Sequence, residues 1–405
     1  MLFSISWRNV WRNKLRSSVI IIAIALGICA GVFSSAFYKG MADQRIEKAI
    51  KSEISHIQVH VPQFRQANDI TKFMPEAARL TEEIINIPEV KGASNRIIIF
   101  SMVASAETAS GVKITGVHPK AEKNVTNIHT KLVEGNYFEE KRKNPIVVGQ
   151  KLAEKLRVKM GSKVVLTLQD IDNNIVNGAF RIVGIYNTAN NGFDESNVFI
   201  KYTDLSRLMN LPPNAGHEIA VLAENNEIVP VVKEKIHTIT PEYVVESWTE
   251  LSPEMNYLTE AMDLYMYIFI VIILFALLFG IINTMLMVVL ERVKEIGMLM
   301  AIGMNKLRIF LMVVLESIFL SLSGGIVGVL LGTAVSKYFE THSIDLSIWG
   351  EVYKDLGYDP FVYTSLEYSL LINVTIMVIL TGIIASLYPA YKALQNDPAD
   401  ALRIE

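Results

Sequence analysis

The chain has 405 residues, 51% of them hydrophobic and 20% charged, and its mean hydropathy of +0.32 exceeds that of an ordinary soluble protein. Its length allows two or three domains. The net charge of −3 provides no global basic field, so nucleic acid is not expected as a partner. The single cysteine, Cys29, excludes an internal disulfide framework.

The hydrophobic residues concentrate in four blocks that predict a helical membrane protein with four transmembrane helices. Residues 1–16 are predicted to form an amphipathic helix on the cytoplasmic side, and residues 17–37 form the first span. Further spans are predicted over residues 264–290, 309–336 and 369–388. Each block can cross about 30 Å of hydrocarbon, because an α-helix rises about 1.5 Å per residue.

Positive charges in the connecting segments predict which side of the membrane each segment faces. Four Lys or Arg residues precede the first span and four lie in the link 291–308, whereas residues 337–368 have two against six acidic residues. Both termini, including a tail over residues 389–405, and the link 291–308 are therefore predicted to be cytoplasmic (N-in/C-in). Residues 38–263 and the loop 337–368 are predicted to lie on the opposite side.

The large inserted segment 38–263 has the pattern of a mixed α/β domain. A strand is predicted over Glu53–Val61 and a helix over residues 76–86. Two apolar runs, Val164–Leu168 and Phe180–Tyr186, flank a turn-rich tip and predict a β-hairpin.

Further helices are predicted in this domain and at its edges. Asp204–Met209 is predicted as a short helix with Thr203 as its N-cap. The polar sequences over residues 38–52 and 248–263 are compatible with helix, so the flanking spans are predicted to continue outward as helical stalks. Ordinary loops are the alternative.

No catalytic or metal site is predicted. His56 and His60 would share one face of a strand, but no third ligand lies near them in sequence. The chain has no Gly-Lys dipeptide and so lacks the phosphate-binding loop of an ATPase. Any ATP hydrolysis is therefore expected in a partner subunit.

Small and polar residues inside the predicted spans indicate helix contacts. Gly324, Gly328 and Gly332 lie on one helix face, which predicts close helix packing and dimerisation through that face. Glu316 is an acid well inside a span, so it is a functional candidate, or else a carboxyl that bonds a neighbouring helix. Asn283 is predicted to form interhelical hydrogen bonds.

The link 291–308 begins with charged residues and continues with apolar residues at near-helical spacing. Such an amphipathic segment fits a groove of a cytoplasmic partner. It equally fits a helix lying on the lipid headgroups. The residues alone leave both alternatives open.

Several motifs resemble those of one family. The run ERVKEIGMLMAIGMNKLRIF, which starts at Glu291, closely resembles the signature of FtsX-like ABC permeases, the group of the MacB pumps and the LolC/LolE lipoprotein-release permeases. The opening Trp7–Arg12, the span ending Ile282–Met285, and a C-terminal stretch from Tyr388 through Asp397–Arg403 are similar to the same family.

The resemblance implies that the link 291–308 is a coupling helix seated on a separate ABC ATPase dimer. ATP and Mg would be bound by that partner, with no cofactor in this chain. The implied ATPase-contact positions are Glu291, Arg292, Glu295, Ile296, Gly297, Ala301 and Gly303. Glu295→Lys is expected to uncouple the complex and leave the permease folded.

The resemblance also implies a permease dimer, formed with a second copy or a paralogue. The dimer would work by mechanotransmission in the inner membrane, surrounded by membrane lipid, with its large domain in the periplasm.

Motifs of the outer domain, such as Leu132–Tyr137 and Ile146–Gly149, resemble the lipoprotein-release branch and predict lipoprotein release. MacB-like efflux of peptides or drugs and FtsX-like signalling to cell-wall hydrolases are the alternatives. The hairpin around Asp170–Gly178 is shorter than the hook with which the lipoprotein-receiving permease engages its carrier. A periplasmic lipoprotein carrier, the substrate, and the choice between homodimer and heterodimer therefore stay open.

Overall fold

A computed structural model describes residues 2–139 and 143–395 of the chain. The family-resembling segment Asp397–Arg403 lies outside the described residues. The chain divides into two compact units. The membrane unit comprises the described parts of Met1–Asp43, Thr259–Asp345 and Phe361–Glu405, and the α/β unit comprises Gln44–Leu258 and Leu346–Pro360.

Helices occur in both units. The α-helices are α1 Leu2–Arg12, α2 Lys14–Ala49, α3 Phe64–Ala67, α4 Ala77–Ile85, α5 Pro119–Glu122, α6 Gln150–Leu156, α7 Asn191–Ser196, α8 Tyr202–Leu208, α9 Val229–Ile239, α10 Trp248–Leu251, α11 Pro253–Glu291, α12 Val293–Ala301, α13 Lys306–Thr341, α14 Gly350–Asp355 and α15 Tyr368–Leu394. A π-helical turn, Ile50–Ile54, and two 3₁₀ turns, Ile128–Thr130 and Ser347–Trp349, complete them.

The strands are β1 Ile57–His60, β2 Val90–Ala104, β3 Ala109–Val117, β4 Leu132–Gly135, β5 Pro145–Gly149, β6 Lys163–Gln169, β7 Ile175–Tyr186, β8 Asn197–Lys201, β9 Glu218–Ala223, β10 Val244–Ser247, β11 Ile344–Asp345 and β12 Phe361–Val362. All except β11 and β12 belong to one mixed sheet.

The prediction of four apolar spans is confirmed. Helices α2, α11, α13 and α15 are each long and apolar enough to cross a membrane. The predicted helical stalks are also present, since helix α2 continues past Phe37 to Ala49 and α11 begins at Pro253. The last span differs from its predicted bounds, because α15 continues through Pro389 to Leu394.

Within the membrane unit, α13 contacts α1, α2 and α15. The predicted glycine row lies against α2, because a Cβ added at Gly328 would come 2.7 Å from the Ala25 carbonyl oxygen, and one at Gly324 would come 2.7 Å from the Ile24 Cβ. Gly332 meets Val32 in the same way. Close packing on this face is therefore observed, but the prediction of dimerisation through it is wrong. The face is occupied by a helix of the same chain.

The α/β unit is built around a closed ring of paired strands. The ladder β2–β3–β8–β5–β7–β6 returns to β2, with parallel pairs β3–β8 and β5–β7 and antiparallel pairs elsewhere. The ring encloses a core of β-branched and aromatic side chains that includes Ile114, Ile146 and Phe180. Because side chains alternate along each strand, every strand contributes one face to this core.

An antiparallel extension, β10–β1–β9–β2, continues the sheet beyond the ring. Helices α4 and α9 cover it through the buried residues Leu80, Ile84, Val232 and Ile236. The residues of α4 recur at intervals of three to four, which is the spacing expected of an amphipathic helix on a sheet.

The local predictions for this domain are confirmed in part. The hairpin is present as β6 and β7, with Val164 opposite Phe180. The first strand is shorter than predicted, because Ile50–Ile54 form a π-helical turn that follows α2. Thr203 is not the N-cap of α8, because the helix begins earlier and its cap is Lys201.

The two histidines considered for a metal site have structural partners. His60 Nε2 lies 2.6 Å from a Glu246 carboxylate oxygen, and His56 Nδ1 accepts a hydrogen bond of 3.1 Å from the Ala223 backbone amide. In the part of the chain that the structure describes, no group of three His, Cys, Asp or Glu side chains could hold a metal ion.

His56 predicts a pH dependence of stability. Burial, assisted by the positive charge of Lys51, lowers the pKa of His56 to about 4, below its ordinary value of 6.5. Between these two pH values, the unfolded chain binds a proton at His56 that the folded chain does not bind. The α/β unit should therefore lose stability as the pH falls from 6.5 toward 4. Hydrogen exchange of the β9 amides in the full-length protein measures this loss.

The matched variants are His56→Gln and His237→Gln. Glutamine can still accept a hydrogen bond from the Ala223 amide but does not titrate. His56→Gln should therefore reduce the dependence of stability on pH. The exposed His237 should not affect it. An unchanged slope in His56→Gln would show that another group causes the acid sensitivity.

Candidate functional site: the α12 segment and its ion pairs

Helix α12 is a short helix set between two long ones. Arg292 separates it from α11, and Gly303 ends the segment with φ of +98°, a conformation that side-chain-bearing residues rarely adopt. The Asn305 side chain then accepts a hydrogen bond of 3.1 Å from the Leu307 amide and caps α13. Short non-helical breaks therefore separate this one amphipathic helix from α11 and from α13.

One face of α12 is buried in the membrane unit. Ile296 is 3% exposed and belongs to the hydrophobic core of that unit, and Gly297 is also buried. The prediction that these two residues contact a partner is therefore wrong, since both pack inside this chain. They hold α12 against the helices beside it.

The opposite face of α12 is open. Ile302 is 79% exposed, and Met298, Ala301 and Gly303 are exposed as well. Sequence reasoning selected Ala301 and Gly303 but missed Met298 and Ile302. These two residues have large apolar side chains four positions apart, a spacing that places them on the same helix face and could have identified them from the sequence.

Arg292 is the central residue of an ion-pair network. Its Nη1 lies 3.0 Å from Oε1 of Glu316 on α13, and its Nε lies 2.9 Å from Oε2 of Glu295 on α12. Burial alone would lower the pKa of Arg292, but the two carboxylates outweigh that effect and raise it. The guanidinium therefore joins α12 to α13 as a permanent cation.

Two arginines near the N-terminus extend the network. Arg12 Nη1 lies 2.9 Å from Oε2 of Glu295, and Arg16 forms a bidentate pair of 2.6 and 2.7 Å with Glu291. The hydrogen bond from Arg12 lowers the pKa of Glu295, and Arg292 adds to that effect against burial. Glu291 and Glu295, both predicted as partner contacts, are thus already paired inside the chain.

Helix α1 is fastened to α13 by its polar face. Asn9 Nδ2 donates to Glu316 Oε1 at 2.5 Å, and Ser6 Oγ donates to the Met312 carbonyl oxygen at 3.2 Å. The Trp7 ring packs edge-on against Phe319 at 5.5 Å. The segment 1–16 is predicted as one amphipathic helix, but its described residues 2–16 form α1 and the start of α2, with a break at Asn13.

A cavity of about 600 Å³ lies among these residues, with Asn9, Arg12, Arg16, Glu291, Arg292 and Glu316 in its lining. Both carboxylates in this lining are paired with arginines. The arrangement joins residues of α1, α2, α11 and α13 and offers no pair of acid and base groups poised for catalysis.

Matches to two family models identify the protein family of this chain. The MacB-like periplasmic core domain matches residues 17–239, more than half of the chain, and the FtsX-like permease C-terminal domain matches residues 267–398. The chain belongs to the FtsX-like permease family. It is a membrane protein with a periplasmic-type domain, an ABC transporter permease of the MacB/LolC type.

Relatives of the permease support this assignment at low identity. An uncharacterized ABC transporter permease of Methanocaldococcus jannaschii is 28% identical over 67% of this chain and 65% of its own length. The lipoprotein-releasing system transmembrane protein LolC of Xylella fastidiosa is 21% identical over 78% of this chain and 79% of its own. A macrolide export ATP-binding/permease protein MacB of Chlorobium luteolum is 36% identical over 31% of this chain and 16% of its own.

The intramembrane polar residues of the permease differ in their surroundings. Glu316 bonds to neighbouring helical elements through Arg292 and Asn9. Asn283 lies exposed on α11, one residue before Thr284, whose hydroxyl bonds back to the Gly280 carbonyl oxygen. Within the described chain, Glu316 therefore has a structural role, whereas Asn283 faces outward.

Proposed function

We propose that this permease is the membrane subunit of an ATP-driven machine that works by mechanotransmission. In this proposal, α1, α12 and the C-terminal end of α15 face the cytoplasm. The α/β unit lies in the periplasm, and an ABC ATPase dimer binds the exposed face of α12. The observation that carries the proposal is α12 itself, a helix with an open apolar face that is joined by ion pairs of Glu295 and the preceding Arg292 to α1 and α13.

A fixed helix is what force transmission requires. A coupling helix that moved independently would not transmit the motion of the ATPase to the rest of the permease. Helix α12 is joined to α1 through Glu295 and to α13 through Arg292. Helices α2 and α11 have 36 and 39 residues, and each includes residues of both units. These continuous helices support a mechanical link between ATP hydrolysis and the α/β unit.

The second permease of the complex is proposed to contact α11. This helix presents exposed aromatic residues, including Phe275 and Phe279, and Asn283 is exposed on it as well. An unpaired amide in hydrocarbon is costly, and it gains a hydrogen bond when another helix supplies a polar group. A copy of this chain or a paralogue provides such a helix.

The proposed substrate class is the lipoprotein. Its support is the alignment with LolC, which extends over most of both chains, whereas the alignment with MacB covers a minor part of that protein. Efflux of peptides or drugs and signalling to cell-wall hydrolases are the competing functions. No carrier protein is included in the proposal.

Depletion of the permease in its own organism tests the substrate class. Lipoproteins destined for the outer membrane should accumulate in the inner membrane, as measured by immunoblotting of separated membranes. Normal lipoprotein sorting with raised drug sensitivity would instead establish efflux. Normal sorting with only a division or lysis defect would establish signalling.

A further inference from the structure

The loop between α13 and α15 has an unpartnered apolar face. Its base is closed by β11 and β12, which pair Ile344 with Val362 and Asp345 with Phe361. The Leu346 amide adds a 2.8 Å bond to the Pro360 carbonyl oxygen. Since a chain extends at most about 3.5 Å per residue, Asp345 lies within roughly 14 Å of Thr341, the last residue of a membrane helix.

The polar side of this loop is bonded within the α/β unit. Asp355 accepts a hydrogen bond of 2.6 Å from Asn191 Nδ2, and Asp359 forms an ion pair of 2.7 Å with Lys48. Glu351 lies 3.6 Å from Lys151. Helix α14 and its flanking residues therefore have a defined orientation and are not a loose linker.

The apolar side of the loop carries four large side chains. Ile348, Val352 and Leu356 recur at intervals of four, with Trp349 beside them, which places them on one face of the helical segment. Ile348 is 87% exposed and Leu356 is 64% exposed, and the other two are exposed as well. Large apolar side chains are more stable out of water than in it, so this face favours an apolar environment.

Aromatic residues at the adjoining helix ends indicate what that environment is. Tyr338 lies in the last turn of α13, Tyr363 follows β12, and Tyr368 begins α15, and all three are exposed. Exposed Tyr and Trp rings at the ends of membrane helices occupy the headgroup layer of a bilayer. The same layer accommodates an amphipathic helix that lies flat on the membrane.

We propose that the face formed by Ile348, Trp349, Val352 and Leu356 inserts into the interfacial layer of the permease's own bilayer. The leaflet is the one at the ends of α13 and α15 from which the loop emerges. The polar face, bonded to Asn191 and Lys48, then attaches the α/β unit to the membrane surface. This inference goes beyond the proposed function and shares with it only the crossing of the membrane by α13 and α15.

Spin labelling tests the insertion directly, because Cys29 is the only cysteine of the chain. In a Cys29→Ala background, Ile348→Cys and Leu356→Cys each receive a nitroxide label in the full-length permease. The protein is reconstituted into vesicles of phosphatidylethanolamine and phosphatidylglycerol. The collision rates of the label with oxygen, which concentrates in lipid, and with a water-soluble nickel chelate are then compared.

The matched control is Ile175→Cys on the β6–β7 hairpin, which is 71% exposed and belongs to the same unit. Labels at residues 348 and 356 should show an oxygen-to-nickel ratio several-fold above that of the control. Val352→Glu should reduce this ratio, whereas Lys354→Gln should not. A ratio equal to the control would overturn the proposal, as would labels shielded from both reagents, which would indicate a second copy or a bound cargo.

Discussion

Replacing Arg292 by methionine is expected to destabilise the membrane unit by about 3–5 kcal/mol, because it leaves a buried carboxylate without its cation. Glu316 is almost fully buried, and Arg292 approaches both of its carboxylate oxygens, at 3.0 and 3.3 Å. The variant should also free α12 from α13. A lower unfolding temperature in detergent and loss of ATP-dependent activity are the measured results.

Two further variants distinguish the effect of the unpaired buried charge on stability from other effects of the substitution. The double variant Arg292→Met/Glu316→Leu removes both charges, so it should recover most of the lost stability. It should still lack activity, because the bond between α12 and α13 is absent. Lys294→Met, which removes the exposed cation two residues away, is the matched control and should behave like the wild type. Wild-type stability in Arg292→Met would contradict a structural role for the pair.

Replacing Gly328 by leucine is expected to prevent correct packing of α13 on α2. Even a Cβ at this position would lie 2.7 Å from the Ala25 carbonyl oxygen and 2.9 Å from the Ile28 Cβ, and a backbone atom cannot move aside cheaply. Overpacking of a well-packed core costs about 1–3 kcal/mol, and a contact with backbone places this variant at or above that range. Yield and thermal unfolding in detergent measure the effect.

Val327→Leu is the control for this substitution, because Val327 is the preceding residue of α13 and lies exposed on another face. It adds bulk to the same helix turn on an exposed face, so its stability should be close to that of the wild type. If Gly328→Leu folded normally but no longer formed dimers, the glycine row would be a dimer surface after all, contrary to the structure.

The membrane helices can be predicted from sequence because their signal is local. A run of about 20 apolar residues suffices to identify a span, and no knowledge of its neighbours is needed. The ends of the helices are less predictable. The polar residues 38–49 continue α2 as the predicted helical stalk, but Pro389 does not end α15, which runs on to Leu394.

The contacts of the site could not be predicted, because they join residues that are distant in sequence. Glu316 bonds to Asn9, and Glu295 bonds to Arg12, across most of the chain. No local pattern distinguishes these pairs from ordinary surface charges. Glu295→Lys, which the family resemblance suggested as a test of partner contact, would place a third cation beside Arg12 and Arg292. It would therefore disturb the intramolecular network rather than probe an interface.

Which face of α12 is buried could likewise not be predicted from the sequence. The amphipathic pattern correctly identifies a helix with two different faces, but it does not tell which face is covered by the chain itself. Ile296 and Gly297 face inward and Ile302 faces outward. Similarly, the glycine row indicates close packing without identifying the partner helix, and that helix is α2.

The central claim is that the open face of α12 binds an ATPase subunit. A photo-reactive amino acid at Ile302 tests it most directly, because this residue is exposed and makes no ion pair that the substitution would break. In intact cells, illumination should link the permease to an ABC ATPase, and the same group at Ile175 on the β6–β7 hairpin should not. Cross-linking at Ile302 to lipid alone would contradict the claim and show that α12 lies on the membrane surface.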